Sequence, residues 1–151
     1  MSTFSDMTFV VPFDGSAATE AALARASEFG EALEESVRVI TVIPSNNARY
    51  ARQRGWLASD EPFDVERIAS TLSEQAAEIA PDASFEYERC NRDATANSIA
   101  KPIRKFAKRN DASTVFVGSN NAGRLATAAG SVGGRISADG AYDILIVRND
   151  R

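Results

Sequence analysis

Five short runs of apolar, largely β-branched residues recur along the chain, and the gaps between them carry apolar residues at helical spacing. Strands apolar on both faces need helices above and below their sheet, so this alternation restricts the chain to an α/β layout. The first run is residues 7–12 ("MTFVVP"), where Pro12 is expected to end the pairing. Ser16 is placed to cap a helix whose stripe is Ala22, Leu23, Ala26, Phe29, Gly30 and Leu33. Residues 37–43 ("VRVITVI") make a second strand, followed by a long polar segment over 44–62 with room for a short helix. Val65, Ile68, Ala69, Leu72, Ala76 and Ile79 mark the next helix, and residues 84–90 alternate as a third strand. A further helix carries Ile99, Ile103, Phe106 and Ala107, with Pro102 awkwardly inside it, where proline costs about 3 kcal/mol and kinks the axis. Residues 114–117 form the fourth strand, 131–139 a last short helix and 143–148 ("DILIVR") the fifth strand.

Such an order implies a mostly parallel, Rossmann-like open sheet with right-handed crossovers and helices on both faces. Ligands of these sheets sit beyond the carboxyl ends of the strands, where the strand order reverses. At 151 residues and 44% hydrophobic, the chain fits a single domain over 1–151, which at this size buries roughly 70% of the surface exposed when unfolded. A net charge of -4 argues against non-specific binding to nucleic acid or anionic membrane. No segment resembles a signal peptide or a membrane span, so the expected location is the cytoplasm. One cysteine allows no intrachain disulfide, and the absence of histidine removes Ser-His and Cys-His nucleophile pairs.

Chemistry concentrates in the loops after the strands. "PFDGS" sets Asp14, Gly15 and Ser16 together at a strand end. The Asp14 carboxylate suits a ribose hydroxyl or an adenine amino group, and the same three residues equally suit an ordinary turn and helix cap. Residues 117–134 ("VGSNNAGRLATAAGSVGG") follow the fourth strand and lead to a helix start at Gly130 and Ser131, where outward-pointing amides favour a phosphate. A glycine-rich surface loop would read the same way. It is no Walker A loop, since Arg124-Leu125 stands where lysine and a hydroxyl are needed, and no GxGxxG follows the first strand. The arginines of "RYARQRG" are solvated surface or a contact for phosphates or a partner; Trp56 reads as a packing anchor and Cys90 as a small core residue.

"VVPFDGSAATEAALARASEFG", "VRVITVI", "STVFVGS" and "GSVGGRI" followed by "DILIVR" occur in an order that resembles the universal stress protein family over nearly the whole chain. The resemblance implies a five-stranded parallel sheet of order 3-2-1-4-5. It also implies a ligand, ATP or another adenine nucleotide, with or without magnesium. Carried onto this chain, the family's motifs put Pro12 and Asp14 beside the adenosine and Val42 against the adenine. Gly118 and Ser119 open a phosphate loop that Gly130 and Ser131 close, with Val132 behind. Gly118 and Gly130 are twelve positions apart, where the family's G-x2-G-x9-G-S/T motif sets thirteen, and its second glycine position falls on Asn121.

Two functions follow as expectations. One is an adenine-nucleotide sensor or regulator, at most a weak ATPase, because neither a histidine base nor a P-loop lysine is present. The other is a nucleotide-free interaction module on the same fold. In both, an edge strand of Ile144, Leu145, Ile146 and Val147 presents unpaired backbone, which a homodimer would cover.

Overall fold

The computed structural model describes residues 7–119 and 142–148. Its strands are β1 (Thr8–Pro12), β2 (Ser36–Pro44), β3 (Ser84–Cys90), β4 (Ala112–Gly118) and β5 (Asp143–Val147). Four helices lie among the described residues: α1 (Ala17–Leu33), α2 (Ala48–Gln53), α3 (Val65–Ile79) and α4 (Ala96–Arg109). The strands form one sheet in the order β3-β2-β1-β4-β5 with every pairing parallel. The short helix expected over 131–139 lies outside the described residues.

Period-two alternation sorts the apolar residues into two cores. Phe9, Val11, Val39, Ile43 and Phe116 face α1 and α3. Val10, Ile40, Val42, Val115 and Val117 face α4. Because side chains of successive residues point to opposite faces, β1, β2 and β4 place apolar residues on both faces without any contradiction in register. The flanking strands β3 and β5 are the sheet's edges, and they are correspondingly more exposed.

α1 begins at Ser16, whose side chain accepts from the Thr19 backbone N–H, a cap worth about 1 kcal/mol. Its sheet-facing stripe is narrower than the sequence suggests: Ala18, Ala22, Leu23, Ala26 and Gly30 are buried, whereas Leu33 is 60% exposed. Gly30 packs against Val37 at the start of β2, and Leu33 lies almost a turn beyond that contact. Phe29, half-exposed, still meets the Phe116 ring edge-on at 5.7 Å.

Of two prolines, Pro102 lies inside a helix as expected and Pro12 departs from expectation. Pro102 sits inside α4, which is helical on both sides of it, held by the buried stripe of Ile99, Ala100, Ile103, Phe106 and Ala107. Pro12 does not end the pairing of β1 with β2, because Phe13 N donates to Ile40 O at 2.9 Å. In parallel sheets alternate residues bond alternate neighbours, so the donor that Pro12 lacks belongs to the β4 side. That side is where the strand order reverses.

Candidate functional site

The turn leaving β1 is held by its own polar groups. Asp14 Oδ1 accepts from Ser16 N at 2.9 Å and from Thr19 Oγ1 at 2.9 Å, while Asp14 N donates to Thr19 Oγ1 at 3.3 Å. Gly15 adopts φ +83°, a left-handed conformation, and a Cβ there would come within 3.0 Å of Gln75 and Leu72. From α3, Gln75 Nε2 donates to Gly15 O at 3.0 Å and to Glu20 Oε2 at 2.7 Å. Below the turn, buried Thr41 donates to Phe13 O at 2.7 Å, tying it to β2. One carboxylate oxygen of Asp14 is thereby committed to the turn, and Oδ2 is the oxygen turned toward the neighbouring crevice.

That crevice opens on the α4 side, at the carboxyl ends of β1 and β2. Its walls include Asp14, Val42, Tyr50, Arg54, Ile99 and Ile103. Two residues from the segment after β2, Tyr50 and Arg54, line it, and a third, Trp56, reaches the Asp14 backbone. The Arg54 guanidinium lies 3.6 Å from the centre of the Tyr50 ring, and Arg54 Nε is 3.9 Å from Asp14 Oδ2. Trp56 donates from Nε1 to Asp14 O at 2.8 Å and meets the Tyr50 ring edge-on at 5.7 Å. At its other end the segment is fixed by Asn47, which caps α2 by accepting from Tyr50 N and donates from Nδ2 to Arg92 O at 2.6 Å. Burial pushes the Tyr50 phenol up to about 12, with the Arg54 cation pulling the other way and Asp14 adding to the rise. The space left is about 70 Å³, against roughly 300 Å³ or more for ordinary small-molecule sites.

Across the sheet's point of reversal, Gly118 ends β4. A Cβ on Gly118 would sit 2.7 Å from both the carbonyl carbon and the oxygen of Ala18. Glycine there is what lets the start of α1 approach β4, a packing reason that does not depend on any ligand. Ser119 follows directly, while Asn121, Gly130, Ser131 and Val132 lie outside the described residues. Among the expected site residues, Pro12, Asp14 and Val42 come together on one crevice, whereas Gly118, at the end of the neighbouring strand β4, and Ser119 after it are not part of its lining.

Sequence reasoning left Tyr50, Arg54 and Trp56 as surface or packing residues, and the structure gathers them on Asp14. The readable signal is the four-residue spacing of Tyr50 and Arg54, which puts an aromatic ring and a cation on one side of a helical turn. Cys90 remains a partly buried packing residue, and burial pushes its thiol up, away from the reactive thiolate. A wider cleft of about 360 Å³ lies at the opposite end of the sheet, bounded by Glu31, Glu34, Glu35 and Asp82. Four carboxylates make it unsuited to a phosphate. Among the described residues no group of acidic or cysteine side chains is arranged to hold a metal ion, and no helix is long and apolar enough to cross a membrane.

A family model described as the Universal stress protein family matches residues 7–148. Similar solved structures include a universal stress protein in complex with cAMP, 23% identical, covering 93% of this chain and 96% of its own, with a TM-score of 0.61. A universal stress protein from Archaeoglobus fulgidus in complex with dAMP is 22% identical, with coverage of 93% and 97% and a TM-score of 0.60. One from Lactobacillus plantarum is 15% identical over 98% and 100%, again with a TM-score of 0.60. No curated protein matches the chain.

Proposed function

The chain belongs to the universal stress protein family, and from that premise we propose that it binds an adenine nucleotide, ATP, ADP or AMP, between the carboxyl ends of β1 and β4. Its role is that of a cytoplasmic sensor or regulator, built as a single domain over 1–151, with hydrolysis slow or absent. The observation that carries this reading is the division of Asp14: Oδ1 is fixed by Ser16 and Thr19, and Oδ2 faces a crevice walled by Val42. A carboxylate oxygen held rigidly beside an apolar wall suits a nucleoside, whose hydroxyls need an acceptor and whose base needs apolar surface. The cAMP and dAMP held by two of the similar proteins are ligands of this class.

The Asp14 acceptor and the Val42 wall suit the nucleoside half of such a ligand. In this reading the phosphates lie toward Gly118 and Ser119 and the run through Asn121 to Gly130, Ser131 and Val132, where backbone amides and hydroxyls would hold them. Magnesium, where present, would come with the phosphates. Whether by sensing or by interaction, the chain acts as a homodimer in this proposal. Ile144, Leu145, Ile146 and Val147 supply the edge, on which Ile146 is 43% exposed. A monomeric sedimentation coefficient at micromolar concentration would overturn the dimer.

The test is to release and identify any bound small molecule from protein purified without added nucleotide, then titrate ATP, ADP and AMP calorimetrically. Asp14→Ala is expected to weaken binding at least about tenfold, the scale of a hydrogen bond to a charged group. Asp14→Asn, which keeps an acceptor for Ser16 and Thr19, separates loss of the ligand contact from loss of the turn. No nucleotide released and no binding heat at millimolar ATP would overturn the reading. One observation favours the alternative of a nucleotide-free interaction module: the crevice is already occupied by Arg54 stacked on Tyr50.

A further inference from the structure

We infer that the Tyr50 ring is the stacking platform for the purine and that Arg54 is a built-in competitor for that place, a latch that adenosine must displace. The inference rests on the nucleotide reading above and specifies how the site is regulated. Its basis is an equivalence of contacts. The Arg54 guanidinium is flat, lies 3.6 Å over the Tyr50 ring and turns Nε toward Asp14 Oδ2 at 3.9 Å. An adenosine bound in the same crevice makes the same two contacts, a flat π-system on an aromatic face and a polar hydrogen directed to the Asp14 carboxylate. Both cannot be present together in a space of about 70 Å³.

The latch is anchored but releasable. Its base is fixed by Trp56 Nε1 to Asp14 O at 2.8 Å and by Asn47 Nδ2 to Arg92 O at 2.6 Å. The tip has no such anchor: Arg54 and Asp14 side chains are 34% and 36% exposed, and their 3.9 Å separation exceeds hydrogen-bond range. A partly exposed ion pair longer than a hydrogen bond and a single partly exposed cation–π contact are each weak, so together they reduce adenosine affinity by about tenfold. When Arg54 swings out, its charge is released beside the ligand. A charged nucleotide therefore recovers part of what the uncharged nucleoside loses.

Adenosine is the decisive probe, because it carries no phosphate for Arg54 to attract. Wild type, Arg54→Ala and Arg54→Lys are titrated with adenosine by calorimetry, and Trp56, the chain's one tryptophan, reports on the segment through acrylamide quenching. Arg54→Ala is expected to bind adenosine about tenfold tighter, and Arg54→Lys, which keeps the charge but not the flat stack, several-fold tighter. Adding Tyr50→Leu to Arg54→Ala should remove the gain. Because the base stays fixed while the tip moves, adenosine should leave Trp56 quenching unchanged in wild type and in Arg54→Ala, and a rise in quenching would mean that the whole segment leaves instead. Equal or weaker adenosine binding by Arg54→Ala, with nucleotide binding intact, overturns the latch and leaves the nucleotide reading standing. Failure of every variant to bind adenosine or ATP at millimolar concentration overturns both.

Discussion

The turn after β1 has two sides, and they are built by different physics. On the α1 and α3 side, contacts are short and directional: Asp14 Oδ1 to Thr19 at 2.9 Å, Gln75 to Gly15 O at 3.0 Å, and the backbone of Ala18 against Gly118 with no room for a methyl group. On the α2 and α4 side, the same aspartate meets Arg54 at 3.9 Å, and Arg54 is held by the face of an aromatic ring. Interlocked hydrogen bonds and backbone contact fix a geometry, whereas stacking and long ion pairs tolerate exchange of one flat group for another. A binding site needs both, a frame that does not move and a wall that yields.

Substitutions separate the two sides by size of effect. The largest belongs to Gly118→Ala, because the atoms met at 2.7 Å are backbone and cannot rotate away. Overpacking of this kind costs about 3 kcal/mol at the upper end of its usual range, which corresponds to a fall of roughly 6–12 °C in melting temperature for a chain of this length. A melting temperature unchanged by Gly118→Ala would show that α1 is not seated on β4 as tightly as this frame requires. Thr19→Val comes next. It keeps the β-branched shape but removes the hydroxyl that donates to Asp14 Oδ1 and accepts from Asp14 N, with Thr19 only 6% exposed. About 1.5 kcal/mol is expected from a lost hydrogen bond to a charged group, measured by urea unfolding. Loss below about 0.5 kcal/mol would move Thr19 out of the rigid frame, since changes of that size are common for surface substitutions.

The difference between the two sides also decides what could be read from the sequence. Strand positions, the Ser16 cap and the parallel layout were legible because apolar period and capping chemistry are local. The sheet order was implied by family resemblance and not by the strands themselves, which are too alike in composition to name their neighbours. Asp14 was legible as a strand-end carboxylate, but the assignment of one oxygen to the turn and the other to the crevice depends on Thr19, one helical turn later. Gly118 resembled a loop opener; its clearance from Ala18 is a contact across a hundred residues of chain. Arg54 was the least legible. Its role arises only because Trp56 pins the α2 segment against Asp14 O, and no spacing rule announces a hydrogen bond from residue 56 to residue 14.

The smallest expected effect is confined to alkaline pH and tests the yielding side. Burial holds the Tyr50 phenol neutral up to about 12, against an ordinary value of 10.0 that the unfolded chain regains. Between those values the folded protein binds more protons at this site than the unfolded one, so the contribution of Tyr50 to stability is complete below pH 10 and is lost as pH rises toward 12. Tyr50→Phe has no phenol to ionise. Its stability near neutral pH is expected within about 0.5 kcal/mol of wild type, and wild type should fall more steeply above pH 10 in denaturant titrations at successive pH values. Other groups that titrate in this range are common to both chains and cancel in the difference. The charged neighbours on the crevice set the sharper version of the test. Burial is the larger cause, and against it the Arg54 cation pulls the phenol down while the Asp14 carboxylate pushes it up, so Arg54→Met, which removes the charge but keeps an unbranched chain over the ring, should move tyrosinate formation at Tyr50 to still higher pH. No movement would mean that the guanidinium spends little time over the ring, and the two sides of the turn would then differ less in architecture than in how often the outer one is assembled.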